Sequence, residues 1–179
     1  PSVIVVNPLV PAKTLSELMQ LAKARHGGLS YASYGNGSTA HLAGEMLAAR
    51  AGAELLHVPY KGSAPAKAAV IAGEVNMTFE PAFTGLPQIS SGKLRALAVM
   101  SSKRSAVLPD VPTTAELGYP GMEMAAWVGL MAPAGTPTPI VKKLASEVEH
   151  ALTDPAVLET LLKNGAEPAG YYGGSFAAY

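Results

Sequence analysis

Leu29-Ser30-Tyr31-Ala32-Ser33-Tyr34-Gly35-Asn36-Gly37-Ser38-Thr39-Ala40-His41-Leu42 is the stretch from which the fold can be read. Residues 29–34 alternate apolar and small polar side chains, as a half-buried strand does. Gly35-Asn36-Gly37 then turns the chain. Ser38 or Thr39 is a helix-capping residue type, and Leu42, Met46 and Leu47 predict one face of a helix reaching about Arg50. Strand, short glycine turn and helix together make half of a βαβ unit.

The same alternation extends in both directions. Upstream, Val3-Ile4-Val5-Val6 is a continuous β-branched run of the buried-strand kind, ended by Pro8 and Pro11. Thr14 caps the next helix, Glu17 completes a capping box, and Leu15, Leu18, Met19 and Ala22 form its buried stripe up to Gly27-Gly28. Downstream, residues 55–60 read as a strand, Lys61-Gly62-Ser63 turns into an alanine-rich helix through Ile71, and residues 75–79 are the next strand. Residues 82–89 read as a weak helix broken by Pro87, and residues 94–100 as another strand. This order predicts an α/β fold with a parallel, doubly wound sheet and helices on both faces.

After Ser101 the pattern changes. Pro109, Pro112 and Pro120 punctuate a segment holding one short capped helix, 113–117. Residues 124–131 read as a strand, and two proline-started helices follow at about 139–152 and 155–164. Gly173-Gly174-Ser175-Phe176 reads as the start of a further helix. The chain begins at Pro1-Ser2, without Met or signal peptide, directly in a strand, so it reads as a fragment or a processed product. A domain boundary is expected near residue 125.

Composition narrows the function classes. Of 179 residues, 49% are hydrophobic and 15% charged, enough to fill a core and too apolar for a disordered tail. Thirteen basic residues balance thirteen acidic ones with no dense Lys/Arg cluster, which argues against nucleic acid as a partner. The absence of cysteine excludes disulfides and thiolate metal sites. No apolar stretch approaches the roughly 18 residues of a membrane-spanning helix.

Three strand-to-helix turns carry the chemistry, and in a doubly wound sheet they open on one edge. The first, residues 35–40, matches the G-x-G-x-x-G/A string of dinucleotide sites. That reading needs an acidic residue roughly twenty positions on, where the second strand instead ends Val58-Pro59-Tyr60-Lys61. A small-anion site at the same helix start suits the turn better, with Ser38 and Thr39 as hydroxyl donors, against the alternative of a plain capped turn. His41 and Glu45 lie one helical turn apart, yet a third metal ligand is missing nearby, and Ser38 with His41 lacks the surroundings of a nucleophile elbow. In the second turn, Lys61 brings a cation beside Tyr60 and Gly62, or stands as a solvated surface lysine. In the third, Glu80 either accepts hydrogen bonds from a ligand or caps the helix at Ala82. The set suits recognition of a polar organic acid without cofactor, metal or catalysis.

Several blocks in order resemble the Bug-type solute-binding receptors of tripartite tricarboxylate transporters. They are Val5-Val6-Asn7-Pro8, residues 33–42, Val58-Pro59-Tyr60-Lys61-Gly62, Ala72-Gly73-Glu74-Val75-Asn76, residues 92–99, residues 108–113 and residues 127–137. The resemblance implies a type II periplasmic-binding-protein fold with two domains closing on a small carboxylate. The candidate classes are di- or tricarboxylates, acidic amino acids and aromatic acids. It also implies a periplasmic location and membrane permease subunits as partners. Family members are longer, so residues 7–123 would be domain two. Residues 1–6 and 124–179 would be hinge strands plus an incomplete returning part of domain one. The exposed incomplete domain would favour a homodimer. Carried over by position, the ligand loop falls on Tyr34, Gly35, Asn36, Gly37, Ser38, Thr39 and His41, with Tyr60, Lys61 and Gly62 beside it. Asn76 and Glu80 depart from the usual aspartates, and a ligand-facing Glu80 would shrink the cleft. The rival readings are an enzyme using the Gly-Asn-Gly-Ser turn for a nucleotide or acyl substrate, and a sensory domain passing occupancy to a signalling partner.

Overall fold

A computed structural model describes residues 1–170 of the chain. Its sheet has five strands: β1 (Ser2–Val6), β2 (Leu29–Ser33), β3 (Leu55–Pro59), β4 (Met77–Pro81) and β5 (Arg95–Met100), in the order β3-β2-β4-β1-β5. Strands β2, β3 and β4 run parallel, as the strand–helix alternation predicts. Strand β1 runs against its neighbours β4 and β5, which makes the sheet mixed and corrects the expectation of a wholly parallel one. The correction has a physical cause. A central strand buried on both faces shows the same unbroken apolar run in either direction, so β1 carries no local mark of its orientation.

The sheet sorts its side chains by parity. Ile4 and Val6 enter one core with Tyr31, Met77 and Phe79; Val3 and Val5 enter the other with Ala32, Val70 and Val75. Helices α1 (Leu15–Ala24) and α2 (Thr39–Ala51) supply Leu15, Leu18, Met19, Ala40, Ala43 and Leu47 to the first face. Helix α3 (Ser63–Ala72) covers the second face with Ala66, Ala69 and Val70, and α4 (Ala82–Ser90) adds Ala82. Pro87 sits inside α4 without ending it.

At the start of α1, Thr14 Oγ1 accepts the Glu17 N–H at 3.1 Å. Glu17 reaches back one residue further than a standard capping box and accepts the Lys13 N–H. Helix α2 departs from its expected stripe. Its buried positions are Ala40, Ala43, Gly44, Leu47 and Ala51, while Leu42 is half exposed. Small residues face the sheet because α2 lies close to Tyr31: a Cβ on Gly44 would stand 2.2 Å from the Tyr31 ring.

Beyond β5 the expected short helix at 113–117 is a turn. Thr113 Oγ1 and the Glu116 carboxylate still exchange hydrogen bonds with each other's N–H groups, and Thr113 makes a single bridge to Val99. The expected strand at 124–131 does not form. Met124 bonds to Ser2 and Met100, and no ladder continues from it. A strand needs a partner edge, and residues 128–131 carry no ladder or bridge among the described residues.

The chain divides into two compact units, Pro1–Ala126 and Trp127–Tyr179. In the second, α5 (Thr138–Thr153) and α6 (Pro155–Lys163) meet at Asp154, whose carboxylate accepts the N–H groups of Ala156 and Val157. Neither helix contains a buried residue. The helix expected from Gly173 lies outside the described residues.

Candidate functional site

Because β2 and β3 are parallel neighbours with Ser33 opposite Pro59, the turns after them emerge side by side. The Tyr60 N–H donates to Ser33 O at 2.9 Å and ties the two turns together. Helix α2 begins in the first turn, with Ser38 as N-cap and its Oγ accepting the His41 N–H at 3.3 Å. Gly37 has φ +78°, a conformation that a side chain would strain. In the second turn Gly62 occupies the N-cap of α3 and offers no capping side chain.

An inventory of loop N–H groups shows what is available to a ligand. Gly35 N–H is accepted by Ser33 Oγ at 3.2 Å, Gly37 N–H by His41 Nδ1 at 3.0 Å, and Ser38 N–H by Gly35 O. Among the described residues, the N–H groups of Asn36, Thr39 and Ala40 meet no acceptor, nor do those of Ser63 and Ala64 at the start of α3. Two adjacent helix starts thus carry unfilled donors where partial positive charge accumulates. Asn36 and Lys61 are exposed beside them, and Thr39 is half-buried.

The remaining predicted residues stand behind this rim. Tyr34 is half-buried and its hydroxyl donates to Phe79 O, anchoring the loop to β4. Burial, then the nearby Glu80 charge, pushes the Tyr34 hydroxyl pKa well up, so it stays a donor. Glu80 does not line this rim. It is 0% exposed; its oxygens accept from the Ser63 and Thr84 hydroxyls, with Lys67 Nζ at 3.6 Å. Nor does it cap α4, where Pro81 holds the N-cap without a side-chain bond. The reason is topological: Ser63, Lys67 and Thr84 lie on α3 and α4, which close over the end of β4. Burial raises the Glu80 pKa, and Lys67 and the two hydroxyls oppose that rise.

One residue absent from the sequence reading, His57, joins the site. His57 on β3 stacks on Tyr31 (ring centroids 5.0 Å apart) and on His41 (4.0 Å, planes 11° apart). Its Nε2 is 2.6 Å from Ser33 Oγ. The only available signal was parity: in parallel register His57 stands opposite Tyr31, on the face that α2 covers. Glu45 closes the group, accepting from the Tyr31 hydroxyl at 2.7 Å and lying 3.9 Å from His41 Nε2.

A mixed α/β sheet with its turns gathered on one edge matches solved periplasmic binding proteins over nearly the whole chain, and this is the fold class. A Rhodopseudomonas palustris protein, Rpa4515, solved with adipate, superposes with TM-score 0.92 at 36% identity, covering 99% of this chain and 58% of that one. MatC from the same organism, solved with bound malate, gives TM-score 0.83 at 32% identity over 95% of this chain and 58% of that one. BugT of Bordetella pertussis is 42% identical over 168 residues, 94% of this chain and 52% of BugT. The tripartite tricarboxylate transporter family receptor model matches residues 1–175, and the chain belongs to that family. It spans about half the length of the curated relatives it matches.

Proposed function

We propose that the chain is the ligand-capturing part of an extracytoplasmic receptor that takes up a small carboxylate and performs no catalysis. One observation carries the reading: unfilled N–H groups at the starts of α2 and α3, beside Lys61 and the Ser38 and Thr39 hydroxyls, face one edge of the sheet. A carboxylate brings acceptor oxygens and negative charge, which is what such an edge lacks. Adipate and malate in the two R. palustris relatives support the ligand class. In this proposal residues 7–123 form domain two, and residues 1–6 with 124–179 belong to the hinge and to domain one. Closure on the ligand would then create the surface read by the membrane permease.

The test is a thermal-shift screen with succinate, malate, adipate, glutamate and nicotinate, and with NAD and ATP as rivals. Occupancy at roughly a hundred times Kd adds about 2.7 kcal/mol of stability. That corresponds to a rise of about 5 °C or more for a chain of this size. Gly37→Ala should lose most of the shift given by the best carboxylate. A shift with NAD or ATP alone would replace the receptor reading with the nucleotide enzyme.

A further inference from the structure

His41 and His57 form a pair of parallel, touching imidazoles directly beneath the ligand loop, and each reaches one of its glycines. His41 Nδ1 accepts the Gly37 N–H at 3.0 Å. His57 Nε2 shares a 2.6 Å hydrogen bond with Ser33 Oγ, and the same oxygen accepts the Gly35 N–H. The His57 ring is also held from its other side, stacked at 5.0 Å on buried Tyr31. The ionisable groups facing the pair are Glu45 from α2 and Tyr31 from β2; among the described residues no lysine or arginine bonds to either ring.

Building on the carboxylate reading above, we propose that His57 is a positioning residue for the ligand loop. Through its stack on His41 and its bond to Ser33 it fixes both glycine N–H groups, and proton uptake by the pair turns the Gly37 N–H over to a bound anion. The chemistry follows from the lone pair on His41 Nδ1. A neutral ring with that lone pair free accepts the Gly37 N–H and withholds it from a ligand. Protonation places a hydrogen on Nδ1, so the bond breaks and two donors and a positive charge face the rim. Glu45 Oε1, 3.9 Å from Nε2, steadies the imidazolium. Burial, then the neighbouring His41, lowers the His57 pKa from its ordinary value.

The test is NMR on the ¹⁵N-labelled chain, titrated between about pH 5 and 8, the range in which histidine pairs take up a proton. The Gly37 amide resonance should move with the midpoint of the His41 ring. At the alkaline end His57→Ala should lower the Gly37 exchange protection about tenfold, and His57→Phe, which keeps a flat ring, should restore it to within about twofold. Succinate affinity, measured by calorimetry, should rise several-fold on acidification and stay flat with pH in His41→Gln. A Gly37 resonance that ignores the His41 titration overturns the proposal, as do His57→Ala and His57→Phe variants both protected like the parent. If His57→Ala does not fold, the parent's Gly37 titration decides. A moving Gly37 resonance without succinate binding upholds the loop device and overturns the carboxylate reading alone.

Discussion

Glu80 shows how burial separates residue type from role. A carboxylate after a strand, next to a helix start, is in the usual place for a ligand contact, yet its oxygens are filled by Ser63, Thr84 and Lys67. The partners lie at separations of 17, 4 and 13 positions, on two helices, which is why no local pattern around residue 80 announces them. Glu80→Ala removes the carboxylate beside Lys67 and the acceptor shared by the Ser63 and Thr84 hydroxyls, leaving Lys67 its bond to Thr84 O and Thr84 its bond to Pro81 O. We expect it to cost about 3 kcal/mol in urea unfolding. Glu80→Gln keeps acceptor and donor in place and costs less. The pH dependence carries the sign of the raised pKa. Burial makes the folded state prefer the protonated carboxyl, so this group's contribution is full below the ordinary carboxylate value. It is lost as pH rises through the raised one. The stability gap between parent and Glu80→Gln should therefore narrow from acid to neutral pH. A gap that widens would mean that Lys67 outweighs desolvation.

Helix α2 sets the height of the loop at residues 35–38 above the sheet, and it does so with small residues. A Cβ at Gly44 would stand 2.2 and 2.3 Å from Tyr31 Cε2 and Cζ. Tyr31 cannot retreat, being fully buried, bonded to Glu45 and packed edge-on against Phe79. Gly44→Ala should thus destabilise the chain by about 2 kcal/mol, the scale of an overpacked core, despite alanine's better helix propensity. A stabilised Gly44→Ala would show that α2 can lift away from β2. At the start of the same helix, Ser38→Ala removes the acceptor of the His41 N–H and should cost about 1 kcal/mol. Both the existence of α2 and its cap were legible in Gly35-Asn36-Gly37-Ser38, because glycines and a capping serine act within four residues. Its inward face was not. Leucines suggested a stripe through Leu42, but the distance between helix and strand favours Ala40, Ala43 and Gly44, and that distance is a property of Tyr31. The same division explains the rest of the site. The turns after β2 and β3 follow from local punctuation, whereas the stack of His57 on His41 needs the parallel pairing of β2 with β3 and the crossing of α2 over both.

At the scale of the molecule, the two units differ in how they hold themselves together. Residues 1–126 own two hydrophobic cores, one on each face of a five-stranded sheet, and Met122 belongs to the first of them. The tie to that sheet persists as far as Met124, whose N–H donates to Met100 O and whose carbonyl accepts the Ser2 N–H, both in this first unit. From Trp127 to the start of α5 the backbone forms no regular element, with Val128 83% and Leu130 80% exposed. Proteases cut where backbone is exposed and locally free to open. Brief proteinase K treatment should therefore cleave first between residues 126 and 138, beyond the Met124 bonds, leaving a fragment that mass spectrometry can assign. That fragment should keep its main unfolding transition within about 2 °C of the parent, since the residues of both cores lie within 1–126. An initial cut inside residues 1–126, or a fall of the transition well beyond that margin, would show that the second unit helps hold the sheet together. The site proposed at the starts of α2 and α3 would then depend on both units for its stability.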